Sequence, residues 1–528
     1  MCAVIYILSL NNMVEKIYGA PGTGKTHTLF RKMKEKGLHP RDCAFTTFSN
    51  AGVQEIKQRA KKEFPSCTED GLKWFRTQHS INKRLLGLGN EQIANNFIND
   101  FAEEYKYFFP KISKKKHTDD EDFFFYYEEK NDSDIVLWNV YELGRKKMLS
   151  MEEMARLCGC LKTVFHTFVA RYQEWCTKNQ LFDFTGMIVE GLRQQVIPPV
   201  KALFVDEFQD NCKLQATQIL EWSKKIPYTV VAGDDDQAIF PFAGADPKIL
   251  IDFPCNASEI LGVTHRYGEQ IRAFSEKIIN QNKIRTPKNV IALHDNSLVT
   301  SHKSLYQILE KFIPYWNEHK DESWFFLSRN NKFVYDITRE LKERGLPVDI
   351  DHEVAFAYDL MTTPAPTMIT SEMMQILVDD IFPARTHWVH GSKKLVLQKL
   401  KAKQFHDIPW ADGMHYGLTL QFYDDHARND ISNLRCNPRD LEHIQKVRTL
   451  FADEMPNITV STIHGVKGKE ADNVVIIPDI FYSNSKTERY QEEREAERRI
   501  WYVAITRAKK HVFLIDRQQY GNYCTTII

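Results

Sequence analysis

Gly19-Ala20-Pro21-Gly22-Thr23-Gly24-Lys25-Thr26 is the segment around which the rest of the chain is organised. An apolar lead, Ile17-Tyr18, runs into a glycine-rich turn ending in Lys-Thr, so an extended strand should break here and restart as a helix at about Lys25. This is the phosphate-loop pattern. Glycines let backbone N–H groups turn inward to phosphate oxygens, and the Lys25 ammonium reaches the β- and γ-phosphates. The Thr26 hydroxyl can ligate Mg²⁺, and the helix N-terminus adds a favourable dipole. Gly19 to Thr26, with His27 next along the helix, are the expected nucleoside triphosphate and Mg²⁺ site. Kinases, GTPases and ATPases share the motif, so the rest of the chain must discriminate among them.

Working outward, the helix should run to about Lys36, where Gly37 and Pro40 stop it. Cys43 to Phe48 reads as a buried strand, with Asn50 as the cap of the helix that follows. Lys201–Val205 and Tyr228–Ala232 are further apolar strands, and Trp324–Leu327 leads into an amphipathic helix over Val334–Arg344 that Gly345 and Pro347 end. Strands alternating with helices argue for parallel sheets covered on both faces. Between these stretches the texture changes twice. Residues 91–180 show aromatic-rich helical patterns, with Lys114-Lys115-Lys116 followed by the acidic, aromatic run Asp119–Glu129, and residues 351–456 are irregular. The expected organisation is α/β. Residues 1–90 and 181–265 form a first lobe around a mainly helical insertion, 91–180. Residues 266–350 and 457–528 form a second lobe around a reduced insertion, 351–456.

Length and composition add bounds. A chain of 528 residues, 43% hydrophobic and 27% charged, has material for about three or four compact units and no large disordered share. Its 70 basic and 70 acidic residues cancel, so total charge neither indicates nor excludes a nucleic-acid partner, since a local groove can be basic on a neutral protein. The ten cysteines lack zinc-site spacing, and reduced thiols in a cytoplasmic setting are expected. The apolar run Cys2–Leu10 is far shorter than the ~20 residues a membrane helix needs and reads as a strand or a docked tail; no membrane partner is expected.

Two further stretches carry chemistry. Val205-Asp206-Glu207-Phe208-Gln209-Asp210 closes an apolar strand, and ligands gather at the carboxyl ends of parallel strands. Triphosphate hydrolysis needs one carboxylate to hold Mg²⁺ and another to orient and deprotonate the attacking water, tasks that suit Asp206 and Glu207. Gly233-Asp234-Asp235-Asp236-Gln237 follows the next strand, and Gln237 would lie near the γ-phosphate if the two strands are neighbours. Phe240 and Phe242 come directly after as stacking faces, each base–aromatic stack being worth ~1–3 kcal/mol.

With these motifs in order, the chain resembles the superfamily 1 helicases of the UvrD/Rep/PcrA type. Thr47-Phe48-Ser49-Asn50, Thr77-Gln78-His79-Ser80, Asp183-Phe184 and His265-Arg266 match further boxes of that family, as do Leu327-Ser328-Arg329-Asn330, Ser461–Glu470 and Trp501–Ala508. The resemblance implies two RecA-like P-loop lobes that close on ATP and Mg²⁺, with Arg266 and Arg507 as arginine fingers beside the catalytic Lys25, Glu207 and Gln237. It implies His265 at the base, Glu470 at the ribose, and Phe48, His79, Phe240, Phe242 and His464 along single-stranded DNA. The chain departs from the family in several places. No glutamine precedes Lys25 to read adenine, His265 stands where a tyrosine is usual, Pro241 and Ala243 where arginines are common, and Ala51 where a lysine is common.

The implied function is an ATP-dependent DNA helicase or translocase, 3′ to 5′, acting at single-stranded DNA and single-strand/duplex junctions. A nuclease or loading factor is a conceivable protein partner. The alternative is a DNA-stimulated ATPase switch that gates or recruits a partner nuclease, motivated by the reduced second insertion and the absent arginines. A metabolic P-loop kinase would leave the paired arginines and the aromatics unexplained.

Overall fold

The computed structural model describes residues 12–109, 133–451, 454–477 and 488–515. The Cys2–Leu10, Lys114–Lys116 and Asp119–Glu129 segments lie outside the described residues.

Among the described residues, five strands make the first sheet: β1 (Met13–Gly19), β2 (Cys43–Thr46), β3 (Ala202–Val205), β4 (Tyr228–Gly233) and β5 (Ala257–Leu261). They lie in the order β2-β3-β4-β1-β5, and every pairing is parallel. The near-continuous apolar runs of β2, β3 and β4 follow from burial on both faces. Because side chains alternate along a strand, Leu203 and Val205 pack on one face with Trp222 and Phe208, while Ala202 and Phe204 pack on the other with Phe30 and Phe45. A short parallel pair, β6 (Val263–Thr264) with β7 (Ile291–Ala292), follows.

The second sheet contains β8 (Leu298–His302) and β9 (Ser323–Ser328). After an antiparallel pair, β10 (Met368–Ile369) with β11 (Ile408–Pro409), it is completed by β12 (Asn457–Thr462), β13 (Ala471–Ile476) and β14 (Ala508–Ile515). Its order is β12-β9-β13-β14-β8, again parallel throughout. Alternation again divides the core: Phe325, Leu327, Val474 and Ile476 face Trp501, while Trp324, Phe326, Val475 and Phe513 face Phe312 and Leu341. These two covered parallel sheets are RecA-like lobes.

The helical insertion between β2 and β3 has its own core of Phe101, Phe165, Phe168, Tyr172 and Trp175. The later insertion corrects the expectation of an irregular segment. Helices His352–Thr362, Ser371–Leu377, Ser392–Lys401 and Leu420–Ala427 enclose a buried core that includes Met361, Met374, Phe382 and Phe422. Helices this short carry little periodicity and gain their stability from packing. Asp351, Thr370 and Thr419 cap three of them, each accepting a bond from the first turn.

Two local expectations also change. The strand beginning at Cys43 ends at Thr46 rather than Phe48. The cap of the helix after it is Ser49, whose hydroxyl accepts from the Gly52 N–H at 3.1 Å, so that Asn50 is already helical. Ser and Asn are nearly equal N-caps, and the extended backbone at Ser49 decides between them.

Candidate functional site

β1 ends at Gly19 and the helix Lys25–Glu35 starts six residues later, so the turn between them sits at the carboxyl edge of the sheet. The Lys25 ammonium folds back on the loop and donates to the Gly19 carbonyl at 2.9 Å. Gly22 has φ +77°, and a Cβ there would lie 2.5 Å from the Cβ of Arg266 and 2.8 Å from Thr264 Oγ1. Only glycine accepts both that backbone and that approach. The close contact is sewn by two bonds: Thr264 Oγ1 donates to the Pro21 carbonyl at 2.8 Å, and the His265 N–H donates to the Gly22 carbonyl at 3.0 Å. The His265 ring itself is exposed, as is His27.

β3 delivers Asp206 to this loop. Thr26 Oγ1 donates to Asp206 Oδ2 at 2.5 Å, which brings together the two side chains expected to hold the metal ion. These are hard oxygen donors of the kind Mg²⁺ takes. Burial and the neighbouring Glu207 charge push the Asp206 carboxyl up to about 6, against the opposing pull of the Thr26 hydroxyl and Lys25. Glu207 behaves differently. Burial raises it, but Lys25, Lys467, Gln209 and Arg507 outweigh that and hold its carboxyl below the usual range. Its backbone is left-handed, with φ 52°, which a non-glycine residue adopts at a cost of about 1–2 kcal/mol; such strain collects at functional sites.

β4 lies between β3 and β1, the adjacency on which the expectation for Gln237 depended. Gln237 donates to Asp234 Oδ2 at 2.8 Å and accepts from the Arg507 guanidinium at 3.0 Å. Arg507 is 1% exposed and is fixed by donating to the carbonyls of Val503 at 3.0 Å and Lys469 at 3.2 Å. Burial and the charge of Arg266 lower it to about 9. Arg266 donates to Glu470 at 2.7 Å and to the Thr506 carbonyl at 3.3 Å. Glu470 is therefore engaged with Arg266 and with Lys509. Lys25, Thr26, Asp206, Glu207, Gln237, Arg266, Arg507 and Glu470 are thus linked where the lobes meet, whereas the exposed His27 and His265 rings are not drawn into that set.

The aromatic residues divide. Phe48 stacks on Phe240 with centroids 5.4 Å apart, Phe242 meets Phe240 edge-on at 5.7 Å, and His464 contacts both. His464 Nε2 bonds the Ile239 carbonyl at 3.2 Å, and burial lowers it to about 3, keeping the ring neutral. His79 is not part of this cluster. It packs edge-on against Phe184, and burial lowers it to about 4.

Sequence reasoning passed over three sets of residues here. Lys467 donates to Asp210 and to the Gln237 carbonyl, and lies 4.9 Å over the Phe240 ring; its place inside the Ser461–Glu470 stretch was the available signal. Arg145 forms a two-pronged bond to Asp183 at 3.1 and 2.8 Å, an acid that also accepts from Tyr172. Lys288 and Arg285 grip the Asp234–Asp236 run, and nothing local in the sequence marks either.

A P-loop, an adjacent acidic pair and an arginine from a second RecA-like lobe define a two-lobed P-loop NTPase. Residues 7–257 match the UvrD/REP helicase N-terminal domain, and residues 421–519 match the UvrD-like helicase C-terminal domain. The chain belongs to the UvrD/Rep/PcrA-like superfamily 1 helicases. It is similar to the ATP-dependent DNA helicase PcrA of Bacillus subtilis, 26% identical over 302 residues that cover 53% of this chain and 39% of that one. The PcrA of Staphylococcus aureus is 23% identical over 297 residues, covering 53% and 40%. A probable DNA helicase II homolog of Mycoplasma capricolum subsp. capricolum is 21% identical over 608 aligned residues, covering 96% and 82%. The match thus spans about two fifths of the length of these PcrA relatives.

Proposed function

We propose that this chain is an ATP-dependent DNA helicase or translocase that moves 3′ to 5′ on single-stranded DNA. The observation that carries the reading is the continuous path from the aromatic cluster to the nucleotide cleft. Lys467 touches the Phe240 ring, Asp210 and the Gln237 backbone, and the Gln237 side chain touches Arg507. A base entering against Phe240 must displace a ring that now stacks on it, and that movement bears on groups facing the γ-phosphate. Single-stranded DNA would run past Phe48, Phe240, Phe242 and His464, with His79 farther along.

In the cleft, the loop N–H groups and Lys25 bind the phosphates. Glu207, kept ionised by the surrounding cations, takes the proton of the attacking water. Arg507 and Arg266 stabilise charge that builds on the transferred phosphoryl group, and Gln237 reports its presence to Asp234. Thr26 and Asp206 would hold Mg²⁺, which supplies charge neutralisation at the phosphate oxygens when bound. His265 would lie against the base and Glu470 against the ribose once Arg266 turns toward the phosphates. Opening one DNA step costs ~1.4 kcal/mol in stacking on average, a modest load for one hydrolytic cycle. Among the described residues, no helix is long and apolar enough to cross a membrane, and a cytoplasmic place is part of this proposal.

The test is ATP hydrolysis with and without single-stranded DNA or RNA, followed by strand displacement on duplexes with 3′ or 5′ overhangs. DNA-stimulated hydrolysis with opening of only the 3′-tailed duplex is expected. Opening of only the 5′-tailed duplex overturns the polarity. Stimulation without any displacement points instead to the switch that serves a nuclease.

A further inference from the structure

Three consecutive carboxylates, Asp234, Asp235 and Asp236, lie buried after β4. The ammonium of Lys288 sits among them, 3.0 Å from Asp234 Oδ1, 2.8 Å from Asp235 Oδ1 and 2.8 Å from Asp236 Oδ2, with its side chain 1% exposed. Arg285 grips Asp236 from another side at 2.7 Å, and the Thr286 N–H donates to Asp235 at 2.6 Å. The same segment belongs to the second lobe and is anchored to its last helix. Asn282 donates to the Glu495 carbonyl at 2.9 Å, the Lys283 N–H donates to the Glu495 carboxylate at 3.1 Å, and Arg499 donates to the Ile284 carbonyl at 2.5 Å. Glu495 and Arg499 belong to the helix Glu488–Ile505, which leads directly into Arg507.

Three buried anions against two cations are a poor means of stabilising a fold. Desolvation of such clusters commonly costs more than their attraction returns, and apolar side chains would serve better. The geometry supplies another reason for the cluster. Asp234 divides its carboxylate, giving Oδ1 to Lys288 and Oδ2 to the Gln237 amide at 2.8 Å. The orientation of Gln237, whose other end accepts from Arg507, is thus set through Asp234 by the position of Lys288.

We propose that Lys288 is a positioning residue that holds Gln237 toward the γ-phosphate through Asp234. The Asn280–Lys288 segment is then the strap that keeps this sensor in register with Arg507. The inference rests on the reading of the cleft as an ATP site with Gln237 at the γ-phosphate.

The test uses the full chain as wild type, Lys288→Met, Asp235→Asn and the double variant. Lys288→Met alone leaves three buried carboxylates facing the single cation Arg285 and should lower the unfolding temperature. The double variant removes one charge of each sign, restores the wild-type charge balance and should recover most of that temperature. Two readouts then separate positioning from stability. One is the rise in unfolding temperature given by a non-hydrolysable ATP analogue minus that given by ADP, both with Mg²⁺. The other is kcat and KM for DNA-stimulated ATP hydrolysis. The double variant is expected to lose the γ-phosphate-dependent rise and about tenfold in kcat, with KM within about twofold, the pattern of a group acting after ground-state binding. Asp235→Asn alone should retain both. Asp234→Ala leaves two carboxylates facing two cations, so it lacks no counter-charge, and it should reproduce the loss even if the double variant fails to fold. Wild-type readouts in the double variant or in Asp234→Ala overturn the role of Lys288 while leaving the ATP site standing. A wild type with no DNA-stimulated hydrolysis removes the reading beneath it as well.

Discussion

Among the described residues, the two sheets have the same strand count and are parallel throughout, yet they turn opposite edges to the candidate nucleotide cleft. In the first lobe the functional groups follow the carboxyl ends of strands: the phosphate loop after β1, Asp206 after β3 and Asp234 after β4. In the second they precede the amino ends, with Glu470 immediately before β13 and Arg507 immediately before β14. A phosphate cradle needs a turn that opens into a helix N-terminus, which parallel sheets provide at their carboxyl edge. A cation needs only a rigid anchor, and Arg507 has one in the Val503 and Lys469 carbonyls. On the proposed reading, one architecture serves as binding site in one lobe and as a charge-delivering arm in the other, because function belongs to the site and not to the fold.

The sharpest way to break this division of labour is to disarm each lobe in turn. Arg507→Ala should lower kcat for DNA-stimulated ATP hydrolysis on the order of 10³-fold, the usual worth of an arginine finger, while an ATP analogue still binds; phosphate release and analogue titration measure both. A reduction of only a few fold would mean that the second lobe merely covers the site. Lys25→Ala, on the other side of the cleft, should cost on the order of 10²–10³-fold in turnover and leave single-strand binding within about twofold, as read by fluorescence anisotropy. Normal turnover in that variant would sink the phosphate-loop assignment.

Phe242→Ala addresses the other end of the path. Loss of one stacking face should weaken single-stranded DNA by ~1–3 kcal/mol and uncouple hydrolysis from strand displacement. Unchanged displacement would return Phe242 to a packing role. The last effect concerns stability. Asp206, pushed up to about 6 by burial and by Glu207, binds its proton more tightly folded than unfolded. Its contribution to stability is therefore full below about pH 4 and is lost as pH rises through about 6. Asp206→Asn should stabilise the metal-free protein on the order of 3 kcal/mol at pH 8 and leave it unchanged near pH 4, measured by urea unfolding at both. A gain independent of pH would show that ionisation of Asp206 is not the cause, and Mg²⁺ with nucleotide should reverse the order of the two proteins at pH 8.

Much of the first lobe was legible before any coordinates because its groups are local. Gly19 to Thr26 is a single turn, Asp206 and Glu207 are consecutive, and apolar runs such as Ala202–Val205 announce strands buried on both faces. Strand periodicity also showed the second lobe, and the ordered motifs named its arginines. The later insertion was misread as irregular because its core joins residues as distant as Met361 and Phe422, and no window of sequence spans such a contact. Ser49 displaced Asn50 as a cap through a backbone angle that composition does not carry.

Residue type and short spacing made a phosphate loop, an acidic pair, a glutamine after the next strand and two neighbouring aromatic rings legible, and the family resemblance supplied the arginines. The tertiary structure alone decided which of these groups meet. It joined Arg507 to Gln237 across 270 positions, set His79 apart from the other aromatics, and placed Lys288 among Asp234, Asp235 and Asp236. The physical reason is that charge pairing and side-chain stacking act over a few ångströms of space, whereas sequence patterns report only what a helix turn or a strand brings near.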